Sequence, residues 1–365
     1  MSVEVGYCPV DRIEDLMAFI GSSWKANHVF SRDADLLRWQ HRHRSDPTLL
    51  SILLAEDDGE PVGILGVIHA DYCHLGERVP SGWLALWFTV EGARGAPGLA
   101  LIRRAMNGDE AVLGTARFVE APSRVYKGLG FHIIEEVPRW VAAVDSDALG
   151  RLLRACPSPF PDSFLGTAGG AASWPEAVTV DVWSPSVERA WDDVWRDDFA
   201  PSFMGVCRDA AFLRWRYLEH PRWKYGVRVA RDTKSGRPRG IAVSRIESIP
   251  DRPESVFRIL DLLFADEKSG TSLAQAMLAE ARTCGAAFAD FYCTRSGSAA
   301  PLEALGFVRE SDLPRALPAL FHPLDFRVHP INAAFWTHGR RDARERYSHP
   351  DLYMTRIEGD QDRPG

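Results

Sequence analysis

The chain has 365 residues, 45% of them hydrophobic and 25% charged, with a formal net charge of −7. That length accommodates two domains with cores of their own, and the acidic balance argues against a general nucleic-acid or anionic-membrane surface. Six cysteines (Cys8, Cys73, Cys156, Cys207, Cys284, Cys293) form no CxxC pair and no metal-like spacing, so they read as reduced thiols of a cytoplasmic protein and no metal is expected. The opening MSVEVGYCPVDRIED lacks the basic and apolar regions of a signal peptide, and no apolar run approaches roughly 18 residues, so a soluble protein is expected.

Val3–Val5 suggests a first strand, and Asp11–Ile20 an amphipathic helix with Asp11 at its N-cap. SRDADLLRWQHRHR (Ser31–Arg44) predicts a second helix, capped by Ser31 or Asp33, with Leu36, Leu37 and Trp39 facing inward. Its HRHR tail reads as a solvated helix end rather than a metal site, because no further ligand follows at the right spacing. Ser51–Ala55, the turn Asp57–Pro61 and Val62–Ala70 make a hairpin, since Asp-Gly is a strong turn pair between β-rich flanks.

A hydrophobic strand, Trp83–Val90, then runs into the glycine-rich turn EGARGAPG (Glu91–Gly98), which opens a helix at Leu99–Met106. Glycines let a backbone approach an anion closely, and the free N–H groups at a helix start point at it. The turn is neither a Walker loop nor a GxGxxG fingerprint, and alone it is either a phosphate cradle or a tight turn that binds nothing. After a strand at Ala111–Thr115 comes APSRVYKGLGF (Ala121–Phe131), a short helix bearing Tyr126 and closed by Gly128 and Gly130. Ile133–Asp145 is expected to supply the last two strands of this domain.

Ser146–Glu176 turns rich in Pro, Gly, Ser and Ala and reads as a linker. Beyond it the chain repeats itself. RDADLLRW (Arg32–Trp39) returns 176 residues later as RDAAFLRW (Arg208–Trp215), and Leu129–Phe131 returns at the same distance as Leu305–Phe307. GEPVGI (Gly59–Ile64) returns 177 residues later as GRPRGI (Gly236–Ile241), so a duplicated domain is the economical explanation. In the second copy the turn has become DEKSGTSLA (Asp266–Ala274), and the position matching Tyr126 is Leu302.

RGAPGLALIRRAM followed by VYKGLGF resembles the acyl-CoA-binding core of the GNAT superfamily of CoA-dependent N-acyltransferases, whose signature is [Q/R]xxGx[G/A] and then Y-x-x-x-GF. The resemblance implies an α/β (α+β) fold of two tandem GNAT-like domains, each a mixed central sheet flanked by helices. Residues 1–145 would be the catalytic domain, 146–176 a linker, 177–317 a degenerate copy and 318–365 a C-terminal extension. It further implies that acetyl-CoA or another acyl-CoA is the co-substrate, held by the strand end at Val90 and by Arg94, Gly95, Gly98, Leu99 and Ala100. Tyr126 would protonate the departing thiolate. The sequence departs from the pattern in one place, for Arg94 stands four residues before Gly98, with Pro97 filling the extra place.

Generating the free amine of a lysine-like acceptor at neutral pH costs about 4–5 kcal/mol, whereas an amine of pKa near 8 costs only about 1–1.5. Asp71, His74, Glu77 and Glu120 are the candidate bases, none of them distinguished, and His69 reads as a core histidine. The oxyanion would be met by backbone N–H groups near Phe88–Val90. Asp261, in the second copy's RILDLLF strand, falls where some family members carry a catalytic carboxylate; a structural hydrogen-bonding role is the alternative. Trp24, Trp83, Trp87 and Trp140 are either core or the wall of an acceptor cleft. The C-terminal extension, with a polar helix at Arg340–Tyr347, a strand at Leu352–Ile357 and the ending Asp360–Arg363, is similar to tails of tandem GNAT-like proteins associated with bacterial surface-polysaccharide biosynthesis. The expected acceptor is therefore a small amine, an aminosugar or sugar nucleotide among them, with a homodimer possible and no nucleic-acid partner. A non-catalytic acyl-CoA-binding scaffold and an aminoacyl-tRNA-dependent transferase stay open as alternatives.

Overall fold

The apolar runs β2 (Leu49–Asp57) and β3 (Glu60–His74) pair as a hairpin because Asp58 and Gly59 both take positive φ (53° and 83°), as a two-residue turn between twisted strands requires. The computed structural model describes residues 3–118, 120–153, 160, 162–165, 177–322, 324–327, 330–338 and 352–360. Much of the expected linker, the expected helix at Arg340–Tyr347 and Gln361–Arg363 lie outside the described residues.

The chain divides into two compact units, Met1–Cys73 with Arg78–Ile133 and Ala333–Tyr347, and His74–Glu77 with Ile134–Asn332 and Ser348–Gly365. In the first, β1 (Glu4–Pro9), β2, β3, β4 (Glu77–Thr89), β5 (Val112–Ala116) and β6 (His132–Ile134) share a sheet with a late strand, Ala333–Thr337. Among the described residues, the helices α1 (Ile13–Phe19), α2 (Ala34–Gln40), α3 (Pro97–Met106) and α4 (Glu120–Gly128) accompany them. Asp33 caps α2 by accepting from the Leu36 N–H at 3.0 Å, while Asp11 lies in a 3-10 turn and caps nothing. Burial of Leu101, Ile102 and Ala105 holds α3 against Leu53, Leu65, Val67 and Leu84, each of the larger side chains contributing about 1.5–3 kcal/mol.

The second unit contains β7 (Arg139–Ala143), α5 (Ser146–Leu153), α6 (Asp162–Leu165), β8 (Val178–Val182), α7 (Glu188–Val194), β9 (Met204–Val206), α8 (Ala210–Leu213), β10 (Gly226–Asp232), β11 (Pro238–Ser248) and β12 (Ser255–Phe264). It continues through α9 (Glu267–Thr283), β13 (Phe288–Tyr292), α10 (Ala300–Glu303), β14 (Val308–Arg309) and the small hairpin of β15 (Leu320–Phe321) and β16 (Leu324–Asp325), before the chain returns to the first unit as β17 (Ala333–Thr337).

The two sheets follow one plan, β1-β2-β3-β4-β5-β17-β6 and β8-β10-β11-β12-β13-β7-β14. Their sixth places are filled from opposite parts of the chain. β7, expected as the last strand of the first sheet, instead pairs antiparallel with β13 (Phe288↔Ala143 to Tyr292↔Arg139), and β17, from the expected extension, pairs antiparallel with β5 (Ala333↔Ala116 to Thr337↔Val112). The physical reason is that RWVAA is buried at all five positions, and such a strand specifies burial on both faces without specifying a partner. Both units also interrupt a helix with a π turn at matching places, Ile20–Trp24 and Trp195–Phe199.

Candidate functional site: an open helix start beside a strand splay

The glycine-rich turn ends in two consecutive left-handed residues, Gly95 (φ 73°) and Ala96 (φ 49°, ψ 56°), and Pro97 then starts α3. A run of this kind leaves successive N–H groups pointing into one concavity. Leu99 and Ala100 turn their N–H groups inward to the Ala96 carbonyl (3.0 and 3.2 Å), and Arg94-Gly95 is a turn that directs the Ala96 N–H back toward Ala93, whereas the N–H groups of Arg94, Gly95 and Gly98 meet no acceptor among the described residues. α3 has no side-chain cap and no acidic residue in its first turn, so the positive end of its dipole is uncompensated. A Cβ on Gly98 would stand 3.4 Å from Thr89 Cγ2 and from Trp87 Nε1, so the helix start packs closely on the end of β4.

That strand runs on past its ladder with β5. β4 and β5 run parallel only from Ser81↔Val112 to Leu84↔Thr115, and two residues later Leu86 takes φ 54° inside the strand. A buried leucine in that region costs about 1–3 kcal/mol. Tyr126 lies at the end of that ladder. Its hydroxyl bonds to the Thr115 side chain, and Thr115 Oγ1 donates onward to the Leu84 carbonyl at 3.3 Å, so the tyrosine proton is directed at Thr115. Trp87, Phe118 and Phe131 surround the ring at 5.0–5.4 Å, and burial pushes the hydroxyl up to about 12.

The second unit closes both features with its own residues. At the start of α9 the Asp266 carboxylate accepts from the Ser269 N–H (2.9 Å) and hydroxyl (2.8 Å) and pairs with Arg239 (2.9 Å), so an anion is already built in. Where β12 outruns β13, the segment Leu352–Asp360 fills the space. The Leu262 N–H donates to the Tyr353 hydroxyl (2.9 Å), the Thr294 N–H donates to the Met354 carbonyl (3.0 Å), and Cys293 bridges Thr355. Leu352–Ile357, expected as a strand, is therefore an irregular plug with isolated bridges at Leu352 and Thr355. Asp261 is fully buried beneath it, accepting from Arg208 Nε (2.9 Å), from the Tyr353 hydroxyl (3.1 Å) and from Tyr217. Arg208 reaches on to Glu358 and to the Val206 carbonyl. The network gives Asp261 the structural role. Leu302, opposite in sequence to Tyr126, is fully buried.

No protein-family model and no curated protein matches the sequence. Solved structures do. A GCN5-related N-acetyltransferase from Anabaena variabilis is 14% identical with a TM-score of 0.54; the match covers 80% of this chain, which spans 65% of that protein's length. One from Kribbella flavida is 14% identical, TM-score 0.55, with 92% and 71% covered. Saccharomyces cerevisiae N-myristoyltransferase with bound myristoyl-CoA is 9% identical, TM-score 0.55, with 92% and 79% covered. The chain has the GNAT fold.

The residues that the GNAT pattern singles out fare unequally. The N–H groups of Arg94, Gly95 and Gly98 are without an acceptor among the described residues, while those of Leu99 and Ala100 are turned into the helix. Val90 has spent both backbone groups, donating to the Val62 carbonyl at 2.9 Å and accepting from Ala93 at 3.2 Å, so the end of the expected oxyanion stretch offers no donor. The Arg94 side chain is exposed.

Among the candidate bases, Asp71 is clamped by Arg44 and Arg78 (both 2.7 Å); burial works to raise its carboxyl, and the two guanidinium bonds outweigh this and lower it. Glu120 pairs with Arg124 on an exposed face, and His74 and Glu77 belong to the second unit. His69 Nδ1 lies 2.9 Å from Glu110, and the His43 ring packs 5.8 Å away. His41, expected in a solvated helix end, is fully buried; its Cε1 lies 2.6 Å from where a Gly66 Cβ would stand, which is why β3 carries glycine there. Trp83 and Trp140 are core, while Trp24 is 37% exposed and stacks on His28 (4.9 Å) and Phe88 (5.5 Å).

Proposed function

We propose that the first unit binds an acyl-CoA through the open helix start at Gly95–Gly98 and transfers the acyl group to a small amine, and that the second unit is a duplicated copy whose corresponding site has been closed. The observation that carries this reading is the contrast between the two helix starts. One has three N–H groups without an acceptor and an uncompensated dipole beside the end of β4; the other holds Asp266 and a plug. A diphosphate suits the first, since its oxygens can accept from the Arg94, Gly95 and Gly98 amides, and no side chain projects from Gly98.

In this reading the thioester lies along the end of β4, and Tyr126, protonated at neutral pH as any tyrosine is, turns its hydroxyl from Thr115 to the departing sulfur. The solved acyltransferases of the same fold support acyl transfer as the reaction class. The burial of Tyr126, 2% exposed and bonded to Thr115, favours a second reading in which the first unit binds acyl-CoA without turning it over. Calorimetric titration with acetyl-CoA tests the shared premise, and release of CoA with a panel of amines separates the two readings.

A further inference from the structure

The connection between α2 and β2, residues 41–48, is tied down by a histidine ring. His43 Nδ1 accepts from the Asp46 N–H at 3.1 Å and from the Ser45 N–H at 3.4 Å. The Asp46 carboxylate accepts in turn from the Thr48 N–H (2.8 Å) and hydroxyl (2.6 Å), and the Thr48 carbonyl takes the Val10 N–H at 2.9 Å. The chain of bonds thus runs from one imidazole to the end of β1, whose Tyr7 ring stands edge-on to His43 at 4.6 Å. The second unit repeats the arrangement. His220 follows RDAAFLRW as His43 follows RDADLLRW, 177 residues on, and its Nδ1 also accepts from the N–H groups two and three residues ahead, Arg222 (3.1 Å) and Trp223 (3.2 Å). Two copies of one sequence segment therefore build the same turn around a histidine nitrogen.

Accepting these bonds fixes the state of the ring. A neutral imidazole has one donor nitrogen and one acceptor, so an accepting Nδ1 places the proton of His43 on Nε2. A second proton can go only to Nδ1, where it faces the N–H groups of Ser45 and Asp46 and ends both bonds. The surroundings oppose that proton as well. Partial burial, and after it the His69 ring 5.8 Å away on β3, hold His43 below the usual imidazole range, against the pull of Asp46 in its own turn and of Glu110 and Asp109 ahead of β5. Glu110 is engaged by His69 at 2.9 Å, Arg44, next to His43 in the chain, by Asp71 at 2.7 Å, and Arg104 of α3 stands over the Tyr7 ring at 5.4 Å.

We propose that His43 is an acid-released latch on the first unit: the neutral ring holds residues 41–48 in their turn, and a proton on Nδ1 opens it. The latch goes beyond acyl transfer and does not depend on it. The folded ring binds its proton more weakly than an unfolded one. The stability it contributes is therefore complete above the unfolded value of about 6.5 and is lost as pH falls through the lowered folded value.

The test is hydrogen exchange read by mass spectrometry on the full chain, wild type beside His43→Asn, whose side-chain oxygen can accept the same N–H groups but takes no proton. After correction for the intrinsic pH dependence of exchange, wild-type protection of residues 41–48 is expected to fall about tenfold between about pH 7.5 and about pH 5.5, and to stay level in the variant. Ring-nitrogen spectra of protein carrying isotope-labelled histidine read the latch directly, the signal missing from the variant being that of His43. It should show Nδ1 without a proton at neutral pH and titrate below about 6.5. A His43 ring with its neutral-pH proton on Nδ1, or wild-type protection that does not change, overturns the proposal. So does an equal fall in the asparagine variant, which would assign the response to another histidine.

Discussion

Gly98→Glu separates binding from stability, because the structure assigns the two effects opposite signs. Gly98 is the second residue of α3, outside the left-handed region, and a Cβ there meets its neighbours at 3.4 Å, so the side chain enters without displacing backbone. Replacing a helical glycine gains about 0.5–1 kcal/mol, and a carboxylate in a first turn that has none adds about 0.3–1 kcal/mol. The variant should therefore melt higher, by roughly 2–4 °C per kcal/mol gained. Its carboxylate, however, covers the N–H groups that a diphosphate would use. Each charge-assisted hydrogen bond is worth about 1.5–3 kcal/mol, so loss of one or two together with charge repulsion predicts acetyl-CoA binding at least about 100-fold weaker. Titration calorimetry and a thermal scan on the same preparation read both quantities. A variant that melts at or above the parent and binds acetyl-CoA within about threefold of it refutes the cradle.

Tyr126→Phe removes the bond to Thr115 while Thr115 keeps its Leu84 acceptor, so the stability loss should be only about 0.5–1.5 kcal/mol. Loss of a general acid costs about 10²–10⁴ in kcat, a much larger effect, so unchanged CoA release with an accepted amine would leave Tyr126 a packing residue. Asp261→Ala strands the buried Arg208 with Glu358 alone and should destabilise the second unit by about 3–5 kcal/mol in urea titrations; a loss below about 1 kcal/mol would contradict the structural role of the network.

What was legible in the sequence was local. Asp58-Gly59 declares a turn because few other pairs accept positive φ twice, and Asp33 declares a cap because its carboxylate reaches only two or three residues ahead. The glycine-rich turn was visible, yet its acceptance of a left-handed alanine at position 96 and the spent amide of Val90 depend on β3 and α3 packing around it. Leu86 gave no sign of its backbone conformation, for nothing in WLALWFTV marks a leucine with positive φ. The internal repeat showed that the turn differs between copies. It did not show that Asp266 turns back onto its own helix, or that a segment some 90 residues on from Asp261 lies over that residue. The histidine tail of α2 was misread because polar composition predicts exposure, whereas His41 is accommodated by a missing side chain at Gly66, on a strand that sequence proximity does not bring near.

The exchange of strands has a consequence for how the chain can be divided. Residues 1–145 hold every expected site residue of the first unit, and the sequence alone suggests that they fold by themselves. In the structure that fragment lacks β17, which stands between β5 and β6 and contributes Ala333, Ala334 and Phe335, all at most 1% exposed, with Phe335 edge-on to Trp83 at 5.5 Å. It retains β7, whose Trp140, Val141, Ala142 and Ala143 are buried only by pairing with β13 and β14. Losing Phe335 alone costs about 1.5–3 kcal/mol, the paired backbone of β5 loses its partner as well, and a bare apolar strand edge promotes association. The fragment is expected to aggregate or to unfold without cooperativity, by size-exclusion chromatography and thermal scan. Ending it at residue 137 and joining residues 330–338 through a flexible linker should recover a cooperative transition, because that restores the missing place in the sheet and removes the stray strand. A monomeric, cooperatively melting 1–145 fragment would refute the exchange as a requirement for folding.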